Sequence, residues 1–237
     1  WSAGTATPDT VLSIGDDLDI LPFRRDGARI LLYSALLRLR QRQCSAVCYT
    51  MPPQAYSAGK LRLDNARFLP FAIPIDTERW RPAEPAERQH LRSQLGISAE
   101  EFVVFQPSRQ EWTCPEGPGS NHKGNDKLLR AWSKIAESGR PTRLIAVEKG
   151  RDVSRSKELL ETLGSPHSAQ WIPAQNKSQL RHYLQAADVV ADQFTYGFYG
   201  MSALDALATG RPVLVYLDPD AGAALGKDAP PVVSVKN

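Results

Sequence analysis

Several common signposts are scarce in this chain of 237 residues. It has three cysteines, Cys44, Cys48 and Cys114. A CxxxC pair without a second close pair makes a poor zinc set, even with His122 added, so unpaired thiols in a reducing compartment are the expectation. No run approaches the roughly 18 apolar residues of a membrane span and no signal-peptide pattern is visible, which points to a cytoplasmic location. The first residue is Trp1 rather than Met, so the natural start is expected to lie elsewhere. A strong excess of one charge is also missing. With 29 basic and 26 acidic residues the formal charge is +3, which permits a local anion site but gives no argument for a nucleic-acid surface.

The familiar nucleotide motifs are absent too. No GxxxxGK[ST] run occurs, and GPGSNHKGN at 117–125 fails its spacing. No GxGxxG follows a candidate strand, which disfavours nicotinamide and flavin chemistry. Clustered acids of the kind that hold Mg²⁺ are not seen, and neither is the activated nucleophile a phosphosugar hydrolase would need.

What remains is an ordinary globular composition, 42% hydrophobic and 23% charged. TVLSIG at 10–15 reads as a strand ending in a turn at Gly15-Asp16-Asp17. ARILLYSALLRLRQRQ at 28–43 has apolar residues at helical spacing and a basic opposite face, which predicts an amphipathic helix. AVCYT at 46–50 is a strand stopped by MPP, and RFLPFAIPID at 67–76 is a strand broken by prolines. EPAERQ reads as a linker. Beyond it, LRSQLGI is a short helix, and the segments FVVFQP, TRLIAVE, AQWIP, DVVADQ and PVLVYL alternate with helices near 126–137, 154–163, 178–187 and 202–209. Alternation of this kind predicts an α/β domain with a parallel sheet covered on both faces. An irregular tail is expected after it, around Gly226, Pro230 and Pro231.

Ligands in such folds bind beyond the carboxyl ends of the strands, so three loops matter. In the first, 106–125, Arg109 leaves a strand end and Lys123 stands at a helix entrance. Together they could grip a diphosphate, with helix amides adding positive field, or they could simply be rim charges. In the second, 147–153, Glu148, Lys149 and Gly150 could meet a base or sugar, or form a polar turn. In the third, YGFYGMSALDALATGRPV at 196–213, Gly197 and Gly200 allow close backbone approach, and the amides of Gly200, Met201 and Ser202 open a helix. Asp205 could accept hydrogen bonds from vicinal hydroxyls, as in ribose, or charge the helix while its alanines pack. Taken together, the loops suit a nucleoside diphosphate joined to a polyol, with cationic groups and amides in place of a metal.

SRQ…HKGND at 108–126, GFYGMSALDALATGRPV at 197–213, PFAIPIDTERW at 70–80 and QWIPAQNKSQLRHYLQAADVV at 170–190 resemble segments of the retaining glycosyltransferases of GT-B fold, the large group 1 (family 4-like) set that uses nucleotide-activated sugars. The resemblance implies two Rossmann-like domains, here residues 1–80 as a partial acceptor domain with linker and 81–237 as the donor domain, its final helices missing. It assigns Arg109 and Lys123 to the donor diphosphate, as the catalytic pair. Ser108 and the Gly200–Ser202 amides lie beside them, and Asp205 stands where the family has the Glu that holds the ribose. Asp192, Gln193 and Tyr199 belong to a DQ…G-x-YG form of the sugar-side motif, and Glu148 and Gly150 to the base-side turn. Gly197 departs from the family, which has Glu there. SIGDDLDILP at 13–22 is similar to the family's HGSD-type segment, placing Asp16 and Asp17 on the acceptor side.

The implied activity is metal-independent transfer of a hexose from a nucleotide diphosphate sugar to a hydroxyl acceptor with retained configuration. No cofactor beyond the donor substrate and no nucleic-acid partner is expected. A non-catalytic nucleotide-sugar or protein-binding module is the alternative. The basic helix, with Arg29, Arg38, Arg40 and Arg42, fits either peripheral contact with an anionic membrane or a solvated face.

Overall fold

The computed structural model describes residues 10–13, 18, 21–69, 74–113 and 122–235. Asp16, Asp17, Cys114 and residues 70–73 fall outside them. Contacts divide the chain into two units, Trp1–Ile73 with Asp218–Asp228, and Pro74–Leu217 with Ala229–Asn237.

The first unit runs β1 (Thr10–Ser13), α1 (Ala28–Gln43), β2 (Ala46–Tyr49), α2 (Gln54–Leu61) and β3 (Ala66–Phe68). Its strands form a parallel sheet in the order β1-β2-β3, packed around Leu18, Val47, Ala58, Leu61 and Leu63. Helix α1 has the predicted bounds but not the predicted face. Its buried residues are Ser34 and Gln41, whereas Leu31, Leu32, Leu36 and Leu39 are exposed. Polar contacts set this orientation: the Ser34 hydroxyl donates to the carbonyls of Leu21 and Arg24, and Asn65 Nδ2 donates to the carbonyls of Gln41 and Cys44.

The second unit contains α3 (Pro85–Gln94), β4 (Phe102–Gln106), α4 (Asn125–Ala136), β5 (Thr142–Glu148), α5 (Val153–Thr162), β6 (Ala169–Pro173), α6 (Lys177–Ala186), β7 (Val189–Ala191), α7 (Met201–Ala208), β8 (Val213–Val215) and β9 (Val233–Ser234). All pairings are parallel, and the order is β6-β5-β4-β7-β8-β9. Strand alternation sorts the core onto two faces. Val103, Phe105, Ile145, Val147, Val190, Val213 and Val215 meet Leu91, Leu184, Ala203 and Ala206 on one side. Val104, Leu144 and Ala191 meet Leu129, Trp132 and Leu160 on the other. Both faces are thereby covered, as near-continuous apolar strands require.

One segment read as a linker is helical. EPAERQ is the first turn of α3: Glu84 and Glu87 form a reciprocal capping box, and Pro85 occupies the first helical positions, where its missing N–H costs nothing. Ahead of the expected tail lies a helix the sequence reading did not include, α8 (Pro219–Leu225), capped by Asp218, whose carboxylate accepts from the amides of Asp220 and Ala221. Among the described residues of RFLPFAIPID, strand geometry covers Arg67 and Phe68, the end of β3.

Candidate functional site

The chain builds outward from β4 through β5 to β6, then returns to lay β7 against the other side of β4 and continues to β8 and β9. The strand order therefore reverses between β4 and β7, the position where open parallel sheets form their ligand crevice. The first and third loops leave the sheet at this point, and side chains join them. Ser108 Oγ donates to the Asp192 carbonyl at 2.9 Å, Lys123 Nζ donates to Gln193 Oε1 at 2.9 Å, and the Phe194 amide donates to the Lys123 carbonyl at 2.7 Å. Gly124 sits in this junction at φ 65°, where a Cβ would lie 2.3 Å from Thr195 Oγ1. Asn125, fully buried, accepts the Glu111 amide at 2.9 Å.

Arg109 is half exposed and its guanidinium pairs with Glu111 at 3.4 Å. Asp192, expected to approach a sugar, is instead 3% exposed, and its Oδ2 accepts the Gly200 amide at 2.6 Å. Burial pushes its carboxyl above the usual aspartate range, against the opposing pull of the Gly200 amide and the Lys123 charge. The Gly200 amide thus has an internal acceptor. Gly200 is the N-cap of α7, and Met201 and Ser202 occupy the first helical positions after it. Gly197 has φ 80°, a conformation that suits glycine. Gln193 Nε2 donates to the Phe198 carbonyl, and the Phe198 and Tyr199 rings stack with centroids 4.2 Å apart. Burial raises the Tyr199 phenol above its usual range. Beside β4 and β7, then, Ser108, Lys123, Asp192, Gln193 and Gly200 form one connected set.

Asp205 lies further along α7 and is 3% exposed. Lys177, at the start of α6, donates to its Oδ2 at 2.8 Å while lying 5.2 Å from the Trp80 ring centroid. Glu148 is exposed and paired with Lys157 at 2.6 Å. Lys177 and Asp152, described below, were not singled out in the sequence. Lys177 carries no motif of its own, and Asp152 follows Gly150 where any helix could start with an aspartate. Among the described residues, no group of three His, Cys, Asp or Glu side chains is arranged to hold a metal ion, and no helix is long and apolar enough to cross a membrane.

Residues 116–223 match the family model of glycosyl transferases group 1. The D-inositol 3-phosphate glycosyltransferase of Rhodococcus erythropolis is 28% identical over 168 residues, covering 68% of this chain and 34% of the relative. The mannosylfructose-phosphate synthase of Agrobacterium fabrum is 24% identical over 73% of this chain and 38% of its own length. Among solved structures, Anabaena HepE in complex with UDP and glucose superposes with a TM-score of 0.61 at 19% identity, over 88% of this chain and 52% of that one. Sucrose-phosphate synthase from Thermosynechococcus elongatus gives 0.62 at 16% identity, over 95% and 55%. The chain thus spans a little over a third of these curated relatives and about half of these solved chains. Its fold is the α/β GT-B type read from the sequence, and the glycosyl transferases group 1 match over residues 116–223 includes Lys123 and the third loop.

Proposed function

We propose that this chain is the donor-binding part of a glycosyltransferase that moves a hexose from a nucleotide diphosphate sugar to a hydroxyl acceptor with retention of configuration. The observation that carries the reading is the joining of the first and third loops at the reversal of strand order, where Lys123 reaches Gln193 and Ser108 reaches Asp192. That junction brings a cationic side chain beside a glycine-lined helix start, the chemistry a diphosphate requires. Arg109 would exchange Glu111 for a phosphate oxygen, offering a bidentate fork where Lys123 offers a point charge.

In this reading the bond between the sugar C1 and the diphosphate oxygen breaks, and the electron pair stays on that oxygen. Arg109, Lys123 and the amides of Met201 and Ser202 at the start of α7 stabilise the charge that develops there. The acceptor hydroxyl oxygen bonds to C1 on the face the diphosphate leaves, and its proton passes to the departing phosphate oxygen. No side chain becomes a covalent nucleophile. Asp205 would take the ribose hydroxyls once Lys177, which is 60% exposed, swings away from it. The relatives' names support sugar transfer, and the UDP bound to HepE supports a nucleoside diphosphate as the first probe.

Gly197, at the position of a family Glu, favours a second reading in which the site binds a nucleotide sugar without transferring it. Titration with UDP-, GDP- and ADP-glucose tests the binding both readings share. Release of nucleoside diphosphate on adding a hydroxyl acceptor supports transfer, and binding without release supports the second reading.

A further inference from the structure

The second loop is fastened to the first. The Gln110 amide donates to the Lys149 carbonyl at 2.7 Å, and the Asp152 amide donates to the Gln110 carbonyl at 3.0 Å. Gly150 allows this approach with φ 117°: a Cβ there would stand 2.4 Å from the Gln110 carbonyl oxygen. The Asp152 carboxylate, 1% exposed, then gathers Trp112 and Thr113. Its Oδ2 accepts the amides of Trp112 at 2.7 Å and Thr113 at 2.9 Å, and its Oδ1 accepts the Thr113 hydroxyl at 2.5 Å. Arg155 pairs with the same Oδ1 at 3.3 Å. Ser156 completes the tie, receiving Trp112 Nε1 at 2.9 Å and donating to Gln110 Oε1 at 3.1 Å.

The plain alternative is that Asp152 serves its own helix. It is indeed the N-cap of α5, yet its side chain makes no capping hydrogen bond to that helix. The carboxylate is aimed at the first loop instead. The consequence falls on Arg109, whose flanks are both anchored: Ser108 by its hydroxyl to the Asp192 carbonyl, and Gln110 to Thr113 by the second loop. A long, half-exposed arginine loses less freedom on gripping an anion when its backbone is already fixed.

We propose that Asp152 is a positioning residue for donor binding, which holds the first loop so that Arg109 is presented to the diphosphate; this rests on the function proposed above. The test is calorimetric titration of the 237-residue chain with UDP, GDP and ADP, using whichever binds most tightly. Asp152→Asn is expected to weaken that affinity by about five- to tenfold, and Thr113→Val, which removes the hydroxyl's bonds to Asp152 and Arg155 but leaves both amide bonds to Asp152, by about two- to threefold. In an Arg109→Gln background, Asp152→Asn should add little, because it acts through the missing guanidinium. Wild-type binding that both Asp152→Asn and Thr113→Val leave unchanged, or losses that multiply in the double variant, would overturn the positioning role alone. Failure of the wild-type chain to bind any of the three would overturn the underlying reading with it.

Discussion

Lys123 Nζ and Gln193 Oε1 lie 2.9 Å apart, bridging the loop after β4 and the loop after β7. The two residues are not equivalent in the proposed site. A charged hydrogen bond to phosphate contributes about 1.5–3 kcal/mol, so Lys123→Met should weaken nucleoside diphosphate binding by roughly 10- to 150-fold. Gln193→Leu, which removes an uncharged partner, should change it by less than about fivefold. Calorimetry on the two variants checks the ranking, and equal losses would mean that Lys123 only fastens the loops.

Asp205 separates ribose recognition from simple packing. If its carboxylate takes the vicinal hydroxyls, wild-type chain should bind UDP about tenfold or more tightly than 2′,3′-dideoxy-UDP, and Asp205→Ala should close most of that gap. Lys177→Met should cost about 1–2 kcal/mol of stability by leaving the buried carboxylate without its cation, the exposed lysine keeping the figure low. Nucleotide affinities and urea midpoints give the two readouts.

The two glycines of the site should respond differently to alanine. At Gly150 the added Cβ would collide with main chain, at 2.4 Å from the Gln110 carbonyl oxygen and 2.7 Å from its nitrogen. At Gly124 the nearest obstacle is the Thr195 hydroxyl, which can rotate. Gly164, at φ 73°, has open space around it. Gly150→Ala is therefore expected to cost most, about 3 kcal/mol or more. Gly124→Ala should be intermediate and Gly164→Ala nearest 1 kcal/mol, from backbone strain alone. Urea unfolding of the three variants tests the order.

Stability should fall in acid. Burial works against ionisation of Asp152, Asp188 and Glu101, but hydrogen bonds outweigh it and leave each below its usual value. For Asp188 the bonds come from the Val103 amide, Arg88 and Arg92. A lowered folded pKa gives stability that is present above the unfolded value, 3.8 for aspartate, and lost as pH falls through the folded one. Asp192 has the opposite sign, since burial raises it: its unfavourable contribution fades as pH falls through the raised value toward 3.8. The urea midpoint should therefore drop between about pH 5 and pH 2. Asp188→Asn should make the drop shallower and cost about 1–3 kcal/mol at neutral pH.

Much of the second unit was legible because its strands are buried on both faces, which leaves apolar runs such as VVF at 103–105 that polar loops cannot imitate. Proline misled in the other direction. Pro85 reads as part of a linker, but it follows the acidic N-cap Glu84 and begins a helix, as the unread Pro219 does after Asp218, and α2 likewise follows Pro53. The α1 face was misread because periodicity reports where apolar residues recur, while Ser34 and Gln41 are drawn inward by contacts from residues distant in sequence. Motif reading found Ser108, Lys123, Asp192, Gln193 and Gly200, which the structure brings together. It could not see that Asp192 holds Gly200, that Lys177 covers Asp205, or that Asp152 ties down residues 112 and 113. Those relationships depend on which loops the strand order makes neighbours.

Titration of the chain with UDP-, GDP- and ADP-glucose, repeated on the Arg109→Gln/Lys123→Met double variant, tests the diphosphate site most directly. The account predicts saturable binding of at least one nucleotide sugar and its loss, by roughly 100-fold or more, in the double variant. Binding that survives the removal of both charges, or none to any of the three sugars, would contradict it.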